Sequence, residues 1–315
     1  MKDKNNEQLP SSFVSELDLL DLFRVIYQKK GTIVTLTSIV SILGVLYSLY
    51  LPNIYNSSAV LAPVNTNGAI AGALNRYSGL AALSGISIPS SSSESNTERA
   101  LAKLTTLSFF ENNILPNIFL PDLMAVKSWD RQSNRIIYNP EIYDEVTNTW
   151  VKKLQETSSK TPTPQSSYSV FKSQNFGISK DKKNGFITIT IKHQSPYIAK
   201  VWAELIINQI NDYYRDKDKT DSEKSLSYLN RQIGLTNLSE IKLSISDLIK
   251  EETKKLALIE ANKFYVFEYI DPPAVMESKF EPDRASICII IALIGGMFSV
   301  LFVLTKHYFF NRKAF

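Results

Sequence analysis

Two uncharged apolar stretches stand near opposite ends of this chain: GTIVTLTSIVSILGVLYSLYL at Gly31–Leu51 and ASICIIIALIGGMFSVLFVLT at Ala285–Thr305. A helix of either length rises about 30 Å, which matches the hydrocarbon core of a bilayer. The sequence therefore predicts two transmembrane helices, at 31–51 and 285–305. Most of the foldable chain lies between them, in segment 52–284.

The orientation of the two predicted helices follows from the basic residues that flank them. The first is preceded, and the second followed, by three basic residues: Arg24, Lys29 and Lys30, then Lys306, Arg312 and Lys313. The positive-inside rule places segments 1–30 and 306–315 in the cytoplasm and segment 52–284 outside it. A cleaved signal peptide is the alternative for the first stretch, but no A-x-A-like site follows it. A buried core helix is the alternative for the second, but Arg284 and Lys306 bracket it at membrane width.

Composition argues against several classes of function. The formal net charge is only +4, and no basic stripe typical of a nucleic-acid-binding protein is present. The single cysteine, Cys288, lies inside the second apolar stretch, so no intramolecular disulfide is predicted. Two histidines and one cysteine are too few for a Cys/His metal site, and no phosphate-binding or metalloprotease motif occurs. The sequence predicts no catalytic residue, no cofactor and no metal. His193 is expected at the surface, and Asp216 and Asp218 on a solvated helix face.

Local patterns predict a mixture of strands and helices between the two apolar stretches. Asn53–Val64 contains β-branched and aromatic residues without a helical period and predicts a strand, and Asn65–Asn96 is expected to be a loop rich in Gly, Ala and Ser. Glu98–Asn113 follows a helical period with Thr97 as its expected cap. A further helix is expected at Asp144–Gln155, followed by a polar loop.

The clearest local signal is a strand followed at once by a helix. Phe186–Ile191 alternates apolar and polar residues as a half-buried strand does. Ser195-Pro196 then supplies an N-cap residue and a proline at the first helical position. Apolar residues recur on one face of this helix, at Ala199, Trp202, Ala203, Ile206, Ile210 and Tyr213. Phe264–Ile270 is expected to be a return strand.

A long exposed helix is predicted over about 196–262, with a kink near Gly234. It would reach on the order of 100 Å. Its later part carries apolar residues in a near-heptad rhythm broken by Glu252, which indicates a stripe that a second copy of the chain covers. The predicted oligomer interface is Leu238, Ile241, Ile245, Leu248, Leu256 and Ile259. The alternative is an intramolecular helical hairpin.

Small residues at four-residue spacing in the two apolar stretches predict close contact between transmembrane helices. The residues concerned are Gly44, Ser48, Ala292, Gly295, Gly296 and Ser299. The alternative is that glycine and serine are simply frequent in membrane helices.

The order of these motifs resembles the bacterial polysaccharide co-polymerases, specifically the Wzz-type O-antigen chain-length determinants. The resemblance runs through DLLDL at Asp18–Leu22, PNIY at Pro52–Tyr55, SGLAALSGI at Ser78–Ile86, Ala100–Phe110, Trp129-Asp130, Gly185–Ile191, Ser195–Ala199, YIDPP at Tyr269–Pro273, Glu281-Pro282 and GGM at Gly295–Met297. Each motif is weak alone. Their collinear order between two terminal apolar stretches is the specific part.

This resemblance implies an inner-membrane protein with a periplasmic α+β domain and a long protruding helix, anchored by two transmembrane helices. Its implied function is non-enzymatic: an oligomeric scaffold that sets how many repeat units an integral-membrane O-antigen polymerase adds to a lipid-linked glycan. The implied partners are further copies of the chain, the polymerase, the glycan and membrane lipid, with no nucleic acid.

Several other functions stay open at the level of sequence. A capsule or exopolysaccharide co-polymerase, working with a separate kinase or export channel, is the main alternative. A two-span sensor would need a cytoplasmic output domain, which the sequence lacks, and no convincing carboxylate pair supports a carbohydrate-active enzyme. A discrete glycan-binding site is another alternative, with Trp129, Trp150 or Trp202 as stacking platforms, although the helical spacing of Trp202 favours a core position.

Overall fold

The computed structural model describes residues 19–64, 93–151, 161–262 and 264–311. The chain forms two compact units. One contains the residues up to Pro52 and from Pro282 onward, and the other is Asn53–Glu281. Residues 65–92 of the predicted loop Asn65–Asn96, with the motif at Ser78–Ile86, lie outside the described residues, as do residues 152–160. The last four residues of that predicted loop are helical instead.

The first unit is helical: α1 is Leu19–Gln28, α2 is Lys30–Tyr50 and α9 is Arg284–Asn311. Two helical stretches are long and apolar enough to cross a membrane, Lys30–Tyr50 and Arg284–His307. Their bounds agree with the predicted 31–51 and, at the start, with the predicted 285–305. α2 and α9 pack side by side and run antiparallel, because Gly44 lies opposite Ile291 while Val40 lies opposite Gly295.

The second unit is built on a four-stranded antiparallel sheet with the strand order β6-β7-β1-β8. Its strands are β1 Tyr55–Pro63, β6 Phe176–Lys180, β7 Ile187–His193 and β8 Phe267–Asp271. The strands predicted at 53–64, 186–191 and 264–270 are therefore present, with ends shifted by up to three residues. Every second residue of β7, and of β1 from Tyr55 to Leu61, is buried, as expected when one sheet face lies on a core.

The long helix α7, Pro196–Leu235, covers the buried face of the sheet. It begins at the predicted residue. Ser195 has the extended backbone of an N-cap, but its side chain makes no cap hydrogen bond. The predicted apolar face is confirmed, because five of its residues are buried and Tyr213 is half-buried against Phe109: Ala199, Trp202, Ala203, Ile206 and Ile210. Ile207 joins them in the core.

Short elements complete this unit. The helices are α3 Ser93–Leu104, α4 Leu107–Phe109 with a π turn at Phe110–Ile114 and a 3-10 turn at Leu115–Asn117, α5 Leu120–Met124, and α6 Pro164–Val170 with a π turn at Phe171–Asn175. Two small hairpins pair β2 Val126–Asp130 with β3 Arg135–Tyr138 and β4 Tyr143–Asp144 with β5 Thr149–Trp150.

The helix predicted at Glu98–Asn113 has different bounds. α3 starts at Ser93, so Thr97 lies inside the helix and is buried rather than capping it. The chain then breaks at Thr105-Thr106, and the Thr106 hydroxyl accepts a hydrogen bond from the Phe109 N–H (3.2 Å). A threonine that caps a new helix start competes with continuation of the old helix.

The helix predicted at Asp144–Gln155 is wrong over its described part, which forms the β4–β5 hairpin. The Asp144 carboxylate accepts hydrogen bonds from the Val146 N–H (2.9 Å) and the Thr147 hydroxyl (2.8 Å). Asn148 adopts a positive φ of 52°. Local Asx-turn chemistry thus outweighs the helical period in this segment.

The single long helix over 196–262 is also wrong, because the chain reverses direction. α7 runs through Gly234 and ends at Leu235, and α8, Ser239–Ala261, returns antiparallel along α7. The hairpin reaches at most about 60 Å along the 40-residue α7, rather than on the order of 100 Å. The chain thus forms the intramolecular hairpin that was the alternative, while assembly with further copies stays a prediction.

Candidate functional site

The α7–α8 hairpin is the candidate functional surface, since the predicted oligomer interface lies on α8. Its inner seam has helical spacing: Ile245, Ile249, Glu252 and Leu256 are half-buried, and Ile259 is only 2% exposed. These residues face α7 of the same chain. The prediction therefore needs correction for Ile259, which belongs to the core of its own chain and is not available to a second copy.

The outer residues of the predicted interface remain uncovered in the single chain. Leu238, Ile241 and Leu248 are exposed, together with Leu243. The near-heptad stripe is thus only partly covered by α7, because Leu238, Ile241 and Leu248 keep 65%, 45% and 50% of their surface exposed. Whether a second copy covers these exposed residues stays a prediction.

The inner seam carries two buried polar atoms without hydrogen-bond partners among the described residues. They are Oγ of Ser222 on α7 and Oε2 of Glu252 on α8. A shallow groove of about 210 Å³ between the helices is lined by Tyr228, Leu229 and Leu248, with Glu252 at its edge. The distal seam is therefore less completely packed than the sheet–helix core.

Asn211 joins the root of the hairpin to the sheet. Its Oδ1 accepts hydrogen bonds from the N–H groups of Tyr265, Val266 and Phe267, at 3.2, 2.7 and 3.0 Å. Its Nδ2 donates to the carbonyls of Ile207 (3.0 Å) and Phe267 (3.1 Å). One buried side chain thus satisfies three backbone donors where the chain leaves α8 and enters β8. Sequence analysis missed it, although a polar residue next to Ile210 on an apolar helix face was a usable signal.

Two further contacts hold the same root. The Tyr265 hydroxyl donates to Oδ2 of Asp218 (2.6 Å), and Lys219 pairs with Glu260. Burial, reinforced by the Asp218 carboxylate, raises the pKa of Tyr265. Asp218 is therefore a hairpin contact and not simply part of a solvated face, whereas Asp216 is exposed as expected.

His193 is buried, and the prediction that it lies at the surface is wrong. Its Nδ1 accepts the Ser195 N–H (2.9 Å), so Nε2 carries the proton and donates to the Asp122 carbonyl (2.9 Å). The ring also packs edge-on against Trp202, with 5.1 Å between centroids. Burial lowers the pKa of His193 and keeps the imidazole neutral. Both ring nitrogens are occupied by structural bonds.

The three tryptophans considered as glycan platforms lie in different surroundings. Trp202 is buried in the core, as its helical spacing favoured. Trp150 is half-buried against Tyr143 (5.3 Å between centroids). Trp129 is half-buried between Tyr55 and Tyr197, and its indole N–H donates to Oδ1 of Asn134 (3.0 Å).

The residues predicted to bring the membrane helices into contact lie on both α2 and α9. They differ in how closely they approach the opposite helix. Gly44, Ser48, Gly295 and Ser299 are buried, and Ala292 and Gly296 are half-buried. A Cβ added at Gly295 would lie 2.8 Å from Cγ1 of Val40, and one at Gly44 would lie 2.6 Å from Cγ2 of Ile291. At Gly296 the nearest atom would be 4.0 Å away. The helices thus approach most closely at Gly44 and Gly295.

Polar bonds cross the same helix pair. The hydroxyls of Thr37 and Ser299 lie 2.9 Å apart, and the Arg284 guanidinium donates to the Ser48 carbonyl (3.1 Å). The role of these contacts in function stays a prediction. In the part of the chain that the structure describes, no three His, Cys, Asp or Glu side chains are grouped so that they could hold a metal ion.

Comparison with known proteins gives one family and several solved structures. Residues 15–150 match the family of the chain length determinant protein, Wzz. A full-length bacterial polysaccharide co-polymerase is 16% identical, with 93% of this chain and 99% of that chain covered and a TM-score of 0.41. A fragment of WzzB, a polysaccharide co-polymerase from Salmonella Typhimurium, is 11% identical, with 73% and 100% covered and a TM-score of 0.32.

A mutant of the Shigella flexneri lipopolysaccharide O-antigen chain-length regulator is also 11% identical, with 72% of this chain and 100% of that chain covered and a TM-score of 0.26. No curated protein sequence shows significant similarity to the chain. The family match extends from α1 through the β4–β5 hairpin and includes α2, the first candidate span. Residues 15–150 thus carry the sequence pattern of the Wzz chain length determinants, which confirms the resemblance to polysaccharide co-polymerases.

Proposed function

We propose that this protein regulates the chain length of a surface polysaccharide, the O-antigen of lipopolysaccharide, without catalysing a reaction itself. The match of residues 15–150 to the chain length determinant family is the observation that carries the proposal. The architecture agrees with it, because two candidate spans enclose one α+β unit with a helical hairpin.

The proposed topology places 31–51 and 285–305 across the bacterial inner membrane, 52–284 in the periplasm, and 1–30 and 306–315 in the cytoplasm. Arg24, Lys29 and Lys30 before the first span, and Lys306 after the second, support this orientation by the positive-inside rule. The hairpin of the second unit would then stand in the periplasm, where the lipid-linked glycan is extended.

A scaffold function is supported by the way the chain uses its polar side chains. Both ring nitrogens of His193 form hydrogen bonds with backbone groups, and the Asp218 carboxylate accepts a hydrogen bond from the Tyr265 hydroxyl. An assembled shape, rather than a reacting group, would then set the glycan length. The proposed partners are other copies of the chain, the integral-membrane polymerase and its lipid-linked glycan.

The proposed contact between copies uses the exposed aliphatic residues at and just before α8, which are Leu238, Ile241, Leu243 and Leu248. Large aliphatic side chains that α7 leaves exposed favour burial against another protein surface. Ile245 and Leu256, which are half-buried against α7, would lie at the edge of this contact. Cross-linking of the full-length protein in detergent should give a ladder of oligomers, whereas a purely monomeric protein would refute this part of the proposal.

Packing of the two spans is proposed to hold the assembly in its working geometry. Gly295→Ala should separate α2 from α9, because its Cβ would meet the stiff side chain of Val40, and overpacking of this kind costs about 1 to 3 kcal/mol. Gly296→Ala is the matched control, since nothing lies closer than 4.0 Å. We expect an altered glycan ladder for Gly295→Ala only; equal ladders for both variants would contradict this proposal.

The test of the function as a whole is deletion of the gene, followed by gel separation of the surface glycans. A changed distribution of O-antigen lengths, restored by the intact gene, is the expected result. Loss of all polymer would instead indicate export or synthesis, and a change confined to capsule or exopolysaccharide would favour the alternative branch of co-polymerases.

A further inference from the structure

A groove of about 370 Å³ lies along β6 and β7, on the face of the sheet opposite α7. Phe176 and Ile178 of β6 pack against the core, so Gly177 between them lies on the other face, beside its partner Thr190 on β7. The π turn before β6 adds Gln174 to the lining. The groove is open at this point because a glycine, which has no side chain, occupies an outward position of the edge strand.

The lining of the groove is polar and carries no uncompensated charge. The side chains of Gln174, Ser179 and Thr188 have no hydrogen-bond partner among the described residues, so their amide and hydroxyl groups are available to a ligand. Among the described lining residues only Lys192 is charged, and its ammonium group pairs with Glu281 (2.7 Å). The groove therefore offers hydrogen-bond donors and acceptors without a net charge.

This lining favours a neutral ligand that is rich in hydroxyl groups. An anion would need a free basic group, a metal ion would need carboxylates, and an apolar ligand would leave the polar side chains without partners. A saccharide meets the requirement, because each of its hydroxyls both donates and accepts hydrogen bonds. The volume of about 370 Å³ lies near the lower end of the range for small-molecule sites, which suits a short stretch of glycan.

An aromatic ring stands beside the Lys192 end of the groove. The ammonium group of Lys192 lies 5.0 Å from the centroid of the Phe280 ring, which is 51% exposed. The apolar face of a sugar ring can pack on an aromatic ring while its hydroxyls bond to neighbouring polar side chains. Phe280 thus offers an apolar surface to a further sugar unit at this end.

We propose that this surface, the β6–β7 groove, binds a short stretch of neutral glycan. The inference rests on the proposed function and deepens it, because it names a place where the second unit would hold the lipid-linked glycan. Each hydrogen bond to the glycan replaces one to water and gains little net free energy, so we expect a dissociation constant of about 1 mM. Weak binding would let the glycan move on as it is extended.

Two substitutions test the groove while preserving the fold. Gly177→Leu fills it, and a Cβ at Gly177 would lie 3.7 and 3.8 Å from atoms of Thr190, which is ordinary van der Waals contact. Gly234→Leu is the matched control, because it adds the same side chain at a glycine of α7 that has nothing within 4 Å. Thr188→Val removes a hydroxyl from the lining and keeps the β-branched shape of the side chain.

Saturation-transfer difference NMR measures the binding on the full-length protein, in a detergent without a sugar headgroup. The first probe is O-antigen polysaccharide freed from lipid A by mild acid, and the second is capsular or exopolysaccharide from the same strain. We expect the first glycan to give a signal with the wild type and with Gly234→Leu, and none with Gly177→Leu. Binding should be about fivefold weaker for Thr188→Val, which corresponds to one lost hydrogen bond.

Equal signals from Gly177→Leu and Gly234→Leu would overturn the proposal, because the glycan would then bind elsewhere. Unchanged binding by Thr188→Val, or no signal from either glycan with the wild type, would also overturn it. A changed O-antigen ladder on gene deletion, together with no glycan binding, would refute the groove and leave length control standing. A signal from the capsular glycan alone, lost with Gly177→Leu, would uphold the groove and contradict O-antigen as the regulated polymer.

Discussion

The two halves of α7 differ in what they pack against. The first half belongs to the core beneath the sheet, and the second half extends beyond it. From Pro196 to Asn211 its inner face is buried against the sheet, through residues such as Ala203 and Ile206. From Asp212 to Leu235 it packs mainly on α8, and Ser222 is its only fully buried residue among those described. The proximal half therefore fixes the fold, while the distal half can vary in packing at little cost to the rest of the unit.

Truncation of one aliphatic side chain in each half tests this contrast most strongly. Ile206→Ala should lower the free energy of unfolding by about 2 to 5 kcal/mol, because the residue is fully buried and leaves a cavity. Leu229→Ala, on the half-buried distal seam, should cost about 1 kcal/mol or less. Denaturation of the full-length protein in detergent measures both. Equal losses would show that the distal seam is as well packed as the core.

Loss of the Asn211 side chain should have the next largest effect, because it lies at the boundary between the two halves. Asn211→Ala would leave the N–H groups of residues 265–267 without their acceptor, which we expect to cost roughly 3 kcal/mol. Asn208→Ala is the matched control, since Asn208 is exposed on the same helix. Asn211→Asp keeps the acceptor oxygens and should recover part of the loss. Similar unfolding of the two alanine variants would mean that Asn211 does not secure the hairpin root.

Acid should destabilise the proximal half in a way that the distal half does not share. Burial holds the pKa of His193 below its ordinary value of 6.5, so the unfolded chain binds a proton at a higher pH than the folded chain does. Stability should then fall as the pH drops below about 6.5, by at most about 1.4 kcal/mol per pH unit. His193→Gln should lose stability at neutral pH but show a flatter pH dependence. If His193→Gln kept the pH dependence of the wild type, His193 would not be the cause of the loss of stability in acid.

Sequence patterns predicted the proximal half well, because strong periodicity and turn chemistry agree there. The alternation at Phe186–Ile191 and the Ser195-Pro196 start fixed both the strand and the first residue of α7. The same alternation, extended by one step, puts His193 on the buried face with Ile187, Ile189 and Ile191. Its burial was therefore predictable and was missed, since histidine was judged by residue type instead of position.

The distal half was harder to predict because its reversal has no strong sequence signal. Thr236, Asn237 and Leu238 form the connection, with neither proline nor a glycine at a positive φ, while Gly234 stays within the helix. The spacing of Ile245, Leu256 and Ile259 suits contact with a second copy as well as contact with α7. Periodicity shows that a face is covered and does not show by which chain. The β4–β5 hairpin was missed for a local reason, the Asx turn at Asp144.

The glycan ladder produced by variants at exposed aliphatic positions of α8 tests the central claim most directly. Ile241→Asp and Leu248→Asp place a charge on exposed aliphatic positions, and Ser246→Asp adds the same charge at an exposed polar position of the same helix. Each variant would replace the wild-type gene, with thermal unfolding used to confirm an intact fold. We predict a shifted or broadened length distribution for the two aliphatic positions and a wild-type ladder for Ser246→Asp. Wild-type ladders for all three, with stable and inserted protein, would contradict length control by an assembled hairpin surface.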